Sequence, residues 1–414
     1  MRIAQKMYDI TPTGTFWLIG YGAMVESRKH PAEGVHDPIF ANALLMEVDG
    51  QRVFMVNLDL VELESEYCDA LRPQIAERFG LDERCILLSV THNHQSVRDY
   101  HHSWETGEYD PAYEEFLTQT IYRAYEELSD ELVPVDEVRC GRGLVTGYYG
   151  NRDHADQLAD NEVIRVEFWR DGRAVAGFVN WACHSTLLDP ANALLSAELA
   201  GGVRAELAKS CGYAPLMLLG AAGDCSPRMF ARRKDFAELA EFSAGIASAI
   251  EGIACDQVLD VRFGSVREVS WRIAYSMDEY RPYWEARLAE ADALLAAGDK
   301  SAKINGVSPF FFKKLVNKKL AIDAVDITLP SQVIALGDLV IVTSEGELAS
   351  AFGKQIKASR PDKCVVICGY TNGFQHYMMP AEEYGVGMES LDSVFPEGEV
   401  EHYIEAIEAA LAKL

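Results

Sequence analysis

Apolar and polar positions follow two rhythms along this 414-residue chain. Seven runs rich in β-branched residues have strand length and end at Gly, Asp or Asn: RVFMVNLDL, CILLSV, VIRVEF, AVAGFVNWA, PLMLLGAAG, VIALGDLVIVT and CVVICGY. Between them, Tyr113, Phe116, Ile121, Tyr125 and Leu128 recur at helical spacing, as do Leu199, Val203 and Leu207. The alternation predicts an α/β fold, a mixed β-sheet core flanked by helices. Residues about 272–325 lack strand signals and read as a helical insertion or cap, with Phe310, Phe311 and Phe312 as packing residues. The closing EHYIEAIEAALAKL reads as an amphipathic helix, and with no internal repeat the chain is expected to form one domain over 1–414.

Several apolar runs end in groups that carry chemistry. CILLSV stops at His92 and His94, two positions that share a face of an extended strand. Neutral imidazole suits a borderline metal such as zinc. AVAGFVNWA runs into His184, PLMLLGAAG into Asp224 and Ser226, VIALGDLVIVT into Glu345 and Glu347, and CVVICGY into Asn372, His376, Tyr377 and Tyr384. Each has a plain alternative: a loop histidine, a hydrogen-bonded core histidine, a turn, a helix cap. Their repetition at strand ends, where α/β folds hold ligands, points to a single polar site. Asp59, closing VFMVNLDL, is placed either to orient a histidine or to shape a turn.

Composition narrows the partners. With 49% apolar residues the chain can bury a large core, and 64 acidic against 38 basic residues give a net charge of −26. Such a charge repels phosphate backbones and anionic lipid headgroups, so nucleic acid and membrane surfaces are excluded as partners and a small neutral or cationic molecule is the easier ligand. The N-terminus lacks a secretory h-region, and no apolar run reaches the roughly 18 residues needed to span a bilayer. The nine cysteines are odd in number and mostly set in apolar segments, as buried thiols in a reducing cytoplasm would be.

Taken in order, these motifs resemble the catalytic domain of the neutral (non-lysosomal) ceramidases. GYGAMVESRKHPAEGVHDPIFANALL resembles that family's early Gly-Tyr stretch, SVTHNHQS its Thr-His-Thr-His-Ser-Gly-Pro, and GNRDH its Asn-Arg-Ser-Pro. VNWACHSTLL resembles its Asn-Trp segment, GAAGDCSPRM its Gly-Asp-Val-Ser-Pro-Asn, EGELASAFG its Gly-Glu stretch, and YTNGFQHYMMPAEEY its tyrosine-rich region. The resemblance implies a catalytic Zn²⁺ held by His92, His184, Glu347 and Tyr377, with His94 and Arg152 touching the reacting group and Ser226 in the site. It implies an amidohydrolase in which zinc polarises a carbonyl and lowers the pKa of a bound water from about 16 toward about 7.

The departures bear on substrate. Gln95, Ser96, Val97 and Arg98 follow the paired histidines in place of Ser-Gly-Pro, with Tyr100, His101 and His102 beyond. Arg228 stands where the family has asparagine, and Ala349 and Ser350 replace two threonines. The family's C-terminal immunoglobulin-like domain and export signal are expected to be missing. The expectation is a cytoplasmic zinc amidohydrolase acting on a smaller, more polar molecule than ceramide, and a homo-oligomer is compatible with the sequence. A metal-dependent lyase or isomerase on a sugar or polyol, a serine hydrolase using Ser226, and a non-catalytic binding protein are the alternatives; the absence of a Gly-x-Ser-x-Gly elbow at Ser226 weakens the second.

Overall fold

The structure, a computed structural model, describes residues 1–22, 25–102, 105–157 and 159–414. Three sheets carry the core. The first orders Ile86–Val90, Gln51–Leu58, Phe40–Val48, Arg2–Asp9 and Val133–Pro134. In the second lie Leu216–Leu219, Arg173–Trp181, Glu162–Arg170, Glu137–Leu144 and Gln257–Leu259. The third is Ser265–Ser276, Ala324–Leu336, Leu339–Thr343 and Cys364–Cys368. Helices Ser65–Phe79, Pro111–Glu131, Glu198–Cys211, Phe236–Glu251, Ser350–Ser359 and Glu399–Leu411 flank them, so the mixed α/β expectation holds.

Most neighbours are antiparallel, but each sheet contains one parallel pair. Gln51–Leu58 runs parallel to Ile86–Val90, Arg173–Trp181 to Leu216–Leu219, and Leu339–Thr343 to Cys364–Cys368. Strands Ile86–Val90, Leu339–Thr343 and Cys364–Cys368 are buried at every residue, which explains their unbroken apolar sequences. Each buried Val, Leu or Ile contributes about 1.5–3 kcal/mol. A parallel pair delivers two carboxyl-terminal ends side by side, and the polar residues read from the sequence lie beyond those ends.

Asparagines knit the three sheets together there. Asn180 Nδ2 donates to Leu218 O (3.0 Å) and to Ile367 O (2.7 Å), while Ile367 N donates back to Asn180 Oδ1 (3.2 Å). Asn372 N donates to Leu88 O (2.7 Å) and Leu88 N to Asn372 Oδ1 (2.8 Å). The second sheet is thereby tied to the third, and the first to the loop after Cys364–Cys368.

Two sequence expectations change. VIALGDLVIVT is a hairpin, not one strand: Leu336 pairs with Leu339 around Gly337 and Asp338. Gly337 has φ +65°, and a Cβ there would lie 2.2 Å from Asp260 O, so only glycine fits the turn. The 272–325 segment is not purely helical either. Its ends belong to the long antiparallel pair Ser265–Ser276 and Ala324–Leu336, whose tip carries helices Arg281–Ala297 and Pro309–Leu320. Of the three phenylalanines, Phe312 is buried in that tip and Phe310 is exposed. Among the described residues no helix is long and apolar enough to cross a membrane.

Candidate metal centre

The loops after the parallel pairs hold backbone in unusual conformations. His92, Tyr370, Asn372 and His376 there, and Tyr21 in the loop after Arg2–Asp9, all have positive φ, from +52° to +66°. Non-glycine residues in the left-handed region are uncommon and persist where surrounding contacts over-determine them, as at ligand sites. For His92 those contacts include the bridge between Asn93 and Ser185, which zips the two histidine-bearing loops, and Asn93 Nδ2 donating to Ser196 O at 2.7 Å.

His92, His94 and His184 come together with ligand nitrogens all within 4.8 Å of one another. His92 Nδ1 lies 2.6 Å from Val61 O, and His184 Nδ1 lies 2.8 Å from Ala222 O. Carbonyls only accept, so each Nδ1 carries the proton and each Nε2 presents a lone pair; the tautomers follow from these partners. Glu347 Oε2 lies 3.0 Å from His184 Nε2 and 3.5 Å from His92 Nε2. His184 Nε2 is buried and makes no hydrogen bond. Three acceptors thus converge, an arrangement that repels itself unless a cation sits among them. Two imidazoles and a carboxylate are the donor set of a divalent transition metal, so the residues fit such an ion.

Burial, with the Arg152 charge adding to it, lowers the His184 pKa to about 4. Burial also lowers His94 well below the usual histidine range, with His92, His184 and Arg228 reinforcing it. Burial pushes Glu347 upward, but His92 and His184 outweigh it and keep the carboxylate ionised. At neutral pH His184 and His94 are therefore neutral imidazoles facing an anionic carboxylate, the state a metal requires.

The expected ligand set and the observed neighbourhood overlap without coinciding. His92, His184 and Glu347 meet. His94 joins them, its Nε2 3.0 Å from His92 Nε2. Tyr377 is paired with Glu347 across a short parallel bridge, but its hydroxyl accepts from Arg152 Nη2 at 3.0 Å. The tyrosine hydroxyl on Glu347 Oε2 is that of Tyr370, at 3.2 Å, and the Tyr370 ring lies against His92 with centroids 4.4 Å apart. Tyr370 escaped the sequence reading because it closes an apolar run and looks like core.

Arg152 is built into the same floor. Its Nη2 also donates to Gly223 O (2.8 Å), and its Nε contacts Glu389. Asp224 positions this loop: its carboxylate accepts from Asn151 Nδ2 (2.8 Å), Ser350 N (2.8 Å) and Ser350 Oγ (2.7 Å), while its carbonyl accepts from Arg152 N (2.8 Å). Ser350, where the resemblance led one to expect threonine, therefore has a clear structural partner.

Asp59, expected to orient a histidine, does not. Its carboxylate forms a two-pronged pair with Arg204 (2.8 and 2.6 Å) and accepts from Phe40 N (2.9 Å), while backbone carbonyls orient both imidazoles. Ser226 Oγ accepts from Arg228 N at 3.2 Å, its one hydrogen bond among the described residues, so no base activates it. Tyr384 lies elsewhere, its hydroxyl on Phe395 O at 2.8 Å. His101 Nε2 lies 2.8 Å from Glu62 Oε1 and His102 Nδ1 2.9 Å from Glu64 Oε2, so these two serve a separate ionic cluster.

No protein-family model and no curated protein matches the chain. Among the solved structures that share its fold are two ceramidases. One is neutral ceramidase from Pseudomonas aeruginosa, 17% identical, with a TM-score of 0.75 over 100% of this chain and 74% of that one. The other is a ceramidase complexed with C2, 16% identical, with a TM-score of 0.73 over 100% of this chain and 75% of that one. The resemblance read from short motifs is thus matched by likeness of fold along the whole chain.

Proposed function

We propose that the protein is a zinc-dependent hydrolase that cleaves an amide (N-acyl) bond of a small, polar substrate. The observation that carries this is the convergence of the His92 and His184 Nε2 lone pairs on Glu347 Oε2, with Arg152 beside them. Likeness of fold to ceramidases, which act on an amide, supports the reaction class. His92, His184 and Glu347 would hold the ion, and Tyr377 lies next to them in the loop.

Zinc, when bound, supplies a Lewis acid for the amide carbonyl and for water. The protein's own groups do the rest. Glu389, Gly223 O and Tyr377 hold the Arg152 guanidinium, which offers hydrogen bonds to negative charge growing on the carbonyl oxygen. His94 is neutral near pH 7, so it can take a proton as the water oxygen adds to the carbonyl carbon. As the C–N bond breaks, the same proton passes to the amine nitrogen, giving a carboxylic acid and an amine; the proton remaining on the acid then moves to the amine, so the products leave as carboxylate and ammonium.

The test is direct. Protein purified without chelator is expected to carry about one zinc per chain, to hydrolyse members of an N-acyl panel, and to lose activity on dialysis against a chelator and regain it with zinc. Full activity in metal-free protein would overturn the reading. A serine mechanism is disfavoured by the surroundings of Ser226, and Ser226→Ala is expected to keep measurable activity.

A further inference from the structure

Two arginines flank the ring of Tyr21, and they differ sharply. The guanidinium carbons of Arg28 and Arg228 lie 5.4 and 4.8 Å from the ring centroid. Arg28 is saturated: Nε donates to Ile19 O and Gly20 O, Nη1 to Ser27 Oγ and Asn192 O, and Nη2 to His94 O and Gln95 Oε1. The Arg228 side chain makes one hydrogen bond, from Nε to Thr186 O at 3.1 Å. Its Nη2 is buried with no partner. Among the described residues no carboxylate forms an ion pair with Arg228; the buried Glu198 acts on it only through space, its oxygens accepting from Leu188 N and Leu199 N.

Arg228 is not alone in this. Tyr21 Oη, Thr186 Oγ1 and His94 Nδ1 are also buried and make no well-formed hydrogen bond among the described residues, although the Tyr21 hydroxyl lies close enough to Arg228 for the two to interact. They are contiguous: the Tyr21 and His94 rings are 5.0 Å apart, Thr186 follows two residues after His184, and its carbonyl holds Arg228. Unsatisfied buried polar atoms are rare in native proteins, and a guanidinium that lacks a counter-charge is the costliest of them. Here four of them lie together beside the histidine cluster. Three of the four residues offer N–H or O–H donors, and one of these is a fixed positive charge. What completes the set is an acceptor-rich anion, and a carboxylate matches the guanidinium fork.

We infer that Arg228, with Tyr21 and Thr186, is the specificity determinant for a substrate that bears a carboxylate a few bonds from its scissile amide, such as an N-acylamino acid or the monoamide of a dicarboxylic acid. The hydrolytic step rests on the amidohydrolase reading above; the carboxylate-binding step does not. The net charge of −26 favours a neutral or cationic ligand only at long range. At the site itself the Arg152 charge is paired with Glu389, whereas Arg228 has no ion-pair partner among the described residues, and at the short distances of a binding pocket such a local charge governs recognition.

The experiment uses zinc-loaded protein and paired probes: N-acetylamino acids and succinic and glutaric monoamides, each beside its uncharged methyl ester. Hydrolysis and binding by isothermal calorimetry are measured for wild type, Arg228→Gln and Arg228→Lys. The expected result is a carboxylate preference in kcat/KM on the order of 100-fold, lost in Arg228→Gln and partly restored in Arg228→Lys. Hydrolysis of the neutral esters as fast as the acids, or equal preference in Arg228→Gln, overturns the inference and leaves the hydrolase reading intact. If no probe is hydrolysed but the acids bind wild type and not Arg228→Gln, the inference stands and the hydrolase reading falls. If the acids neither react nor bind, the inference is overturned. Wild-type discrimination is read without any variant, so a misfolded Arg228→Gln does not spare it.

Discussion

The floor and the rim of the site are built on opposite terms. On the floor the orienting groups have partners: His92 and His184 rest on backbone carbonyls, Tyr370 on Glu347, and Arg152 on Gly223, Tyr377 and Glu389. At the rim Tyr21, Thr186 and Arg228 leave buried polar atoms unpaired. A fully paired network fixes its members in place whether or not a ligand arrives, as an ion-binding geometry demands. An unpaired set has binding capacity in reserve, as a group that discriminates among substrates demands. Among the described residues two nitrogens of the histidine cluster are unsatisfied: His184 Nε2, which faces Glu347 where the ion is proposed to lie, and His94 Nδ1, on the side of Tyr21.

The comparison breaks most severely at the acceptors themselves. His92→Ala or His184→Ala is expected to lose zinc and reduce kcat/KM by on the order of 1,000-fold or more, read by metal analysis and by hydrolysis; a metal-replete variant would remove that residue from the ligand set. Next in size is the scaffold beneath. Asp59 and Arg204 are both buried, so Asp59→Asn leaves a charge uncompensated and is expected to cost about 3–5 kcal/mol in urea unfolding. Because Asp59 touches neither histidine, the folded variant should retain its zinc affinity.

A smaller change sharpens the account of Tyr370. Tyr370→Phe removes the hydroxyl on Glu347 but keeps the ring against His92, and is expected to weaken zinc binding by about 10–100-fold with little loss of stability. An unchanged affinity would mean that Glu347 is oriented by its backbone alone. The smallest effect concerns the clamp between the arginine loop and the tyrosine loop, where His154 Nε2 lies 2.8 and 2.9 Å from the two Glu383 oxygens. The hydrogen bond with Glu383 raises the His154 pKa. A raised histidine pKa contributes stability that is fully present below about pH 6.5 and is lost as pH rises through the folded value. Unfolding of wild type and His154→Gln should therefore differ by at most about 1 kcal/mol at pH 5.5 and converge at pH 8.5. A gap that widened with pH would contradict the pairing.

How much of this was legible in the sequence depended on whether the signal was local. His92, His94, His184, Glu345 and Glu347 stood out because they lie just beyond the ends of apolar runs, and the choice of His92, His184 and Glu347 among them rested on the resemblance to the ceramidases. Val269, Trp271, Ile273 and Tyr275 alternate as strand residues do, yet part of that strand was assigned to a helical segment because its partner, Ala324–Leu336, lies beyond two helices. The hairpin at Gly337 was hidden by apolar sequence on both sides. Asp59 could not be assigned from the chain, since its partner Arg204 is 145 residues away and competes with any histidine for the same oxygens. Tyr377 was the tyrosine expected beside Glu347, but the hydroxyl on that carboxylate is that of Tyr370, which sits at φ +52°. Arg228 was visible as a departure in a motif, but its lack of partners needed the fold.

The central claim is that the His92, His184 and Glu347 acceptors surround a divalent ion. It is tested most directly by anomalous diffraction at the zinc edge from crystals of chelator-free protein. The account predicts one strong peak about 2.0–2.1 Å from both His92 Nε2 and His184 Nε2, with a Glu347 oxygen at about 2.0–2.2 Å. A map with no peak there, or a peak held by other residues, would contradict it.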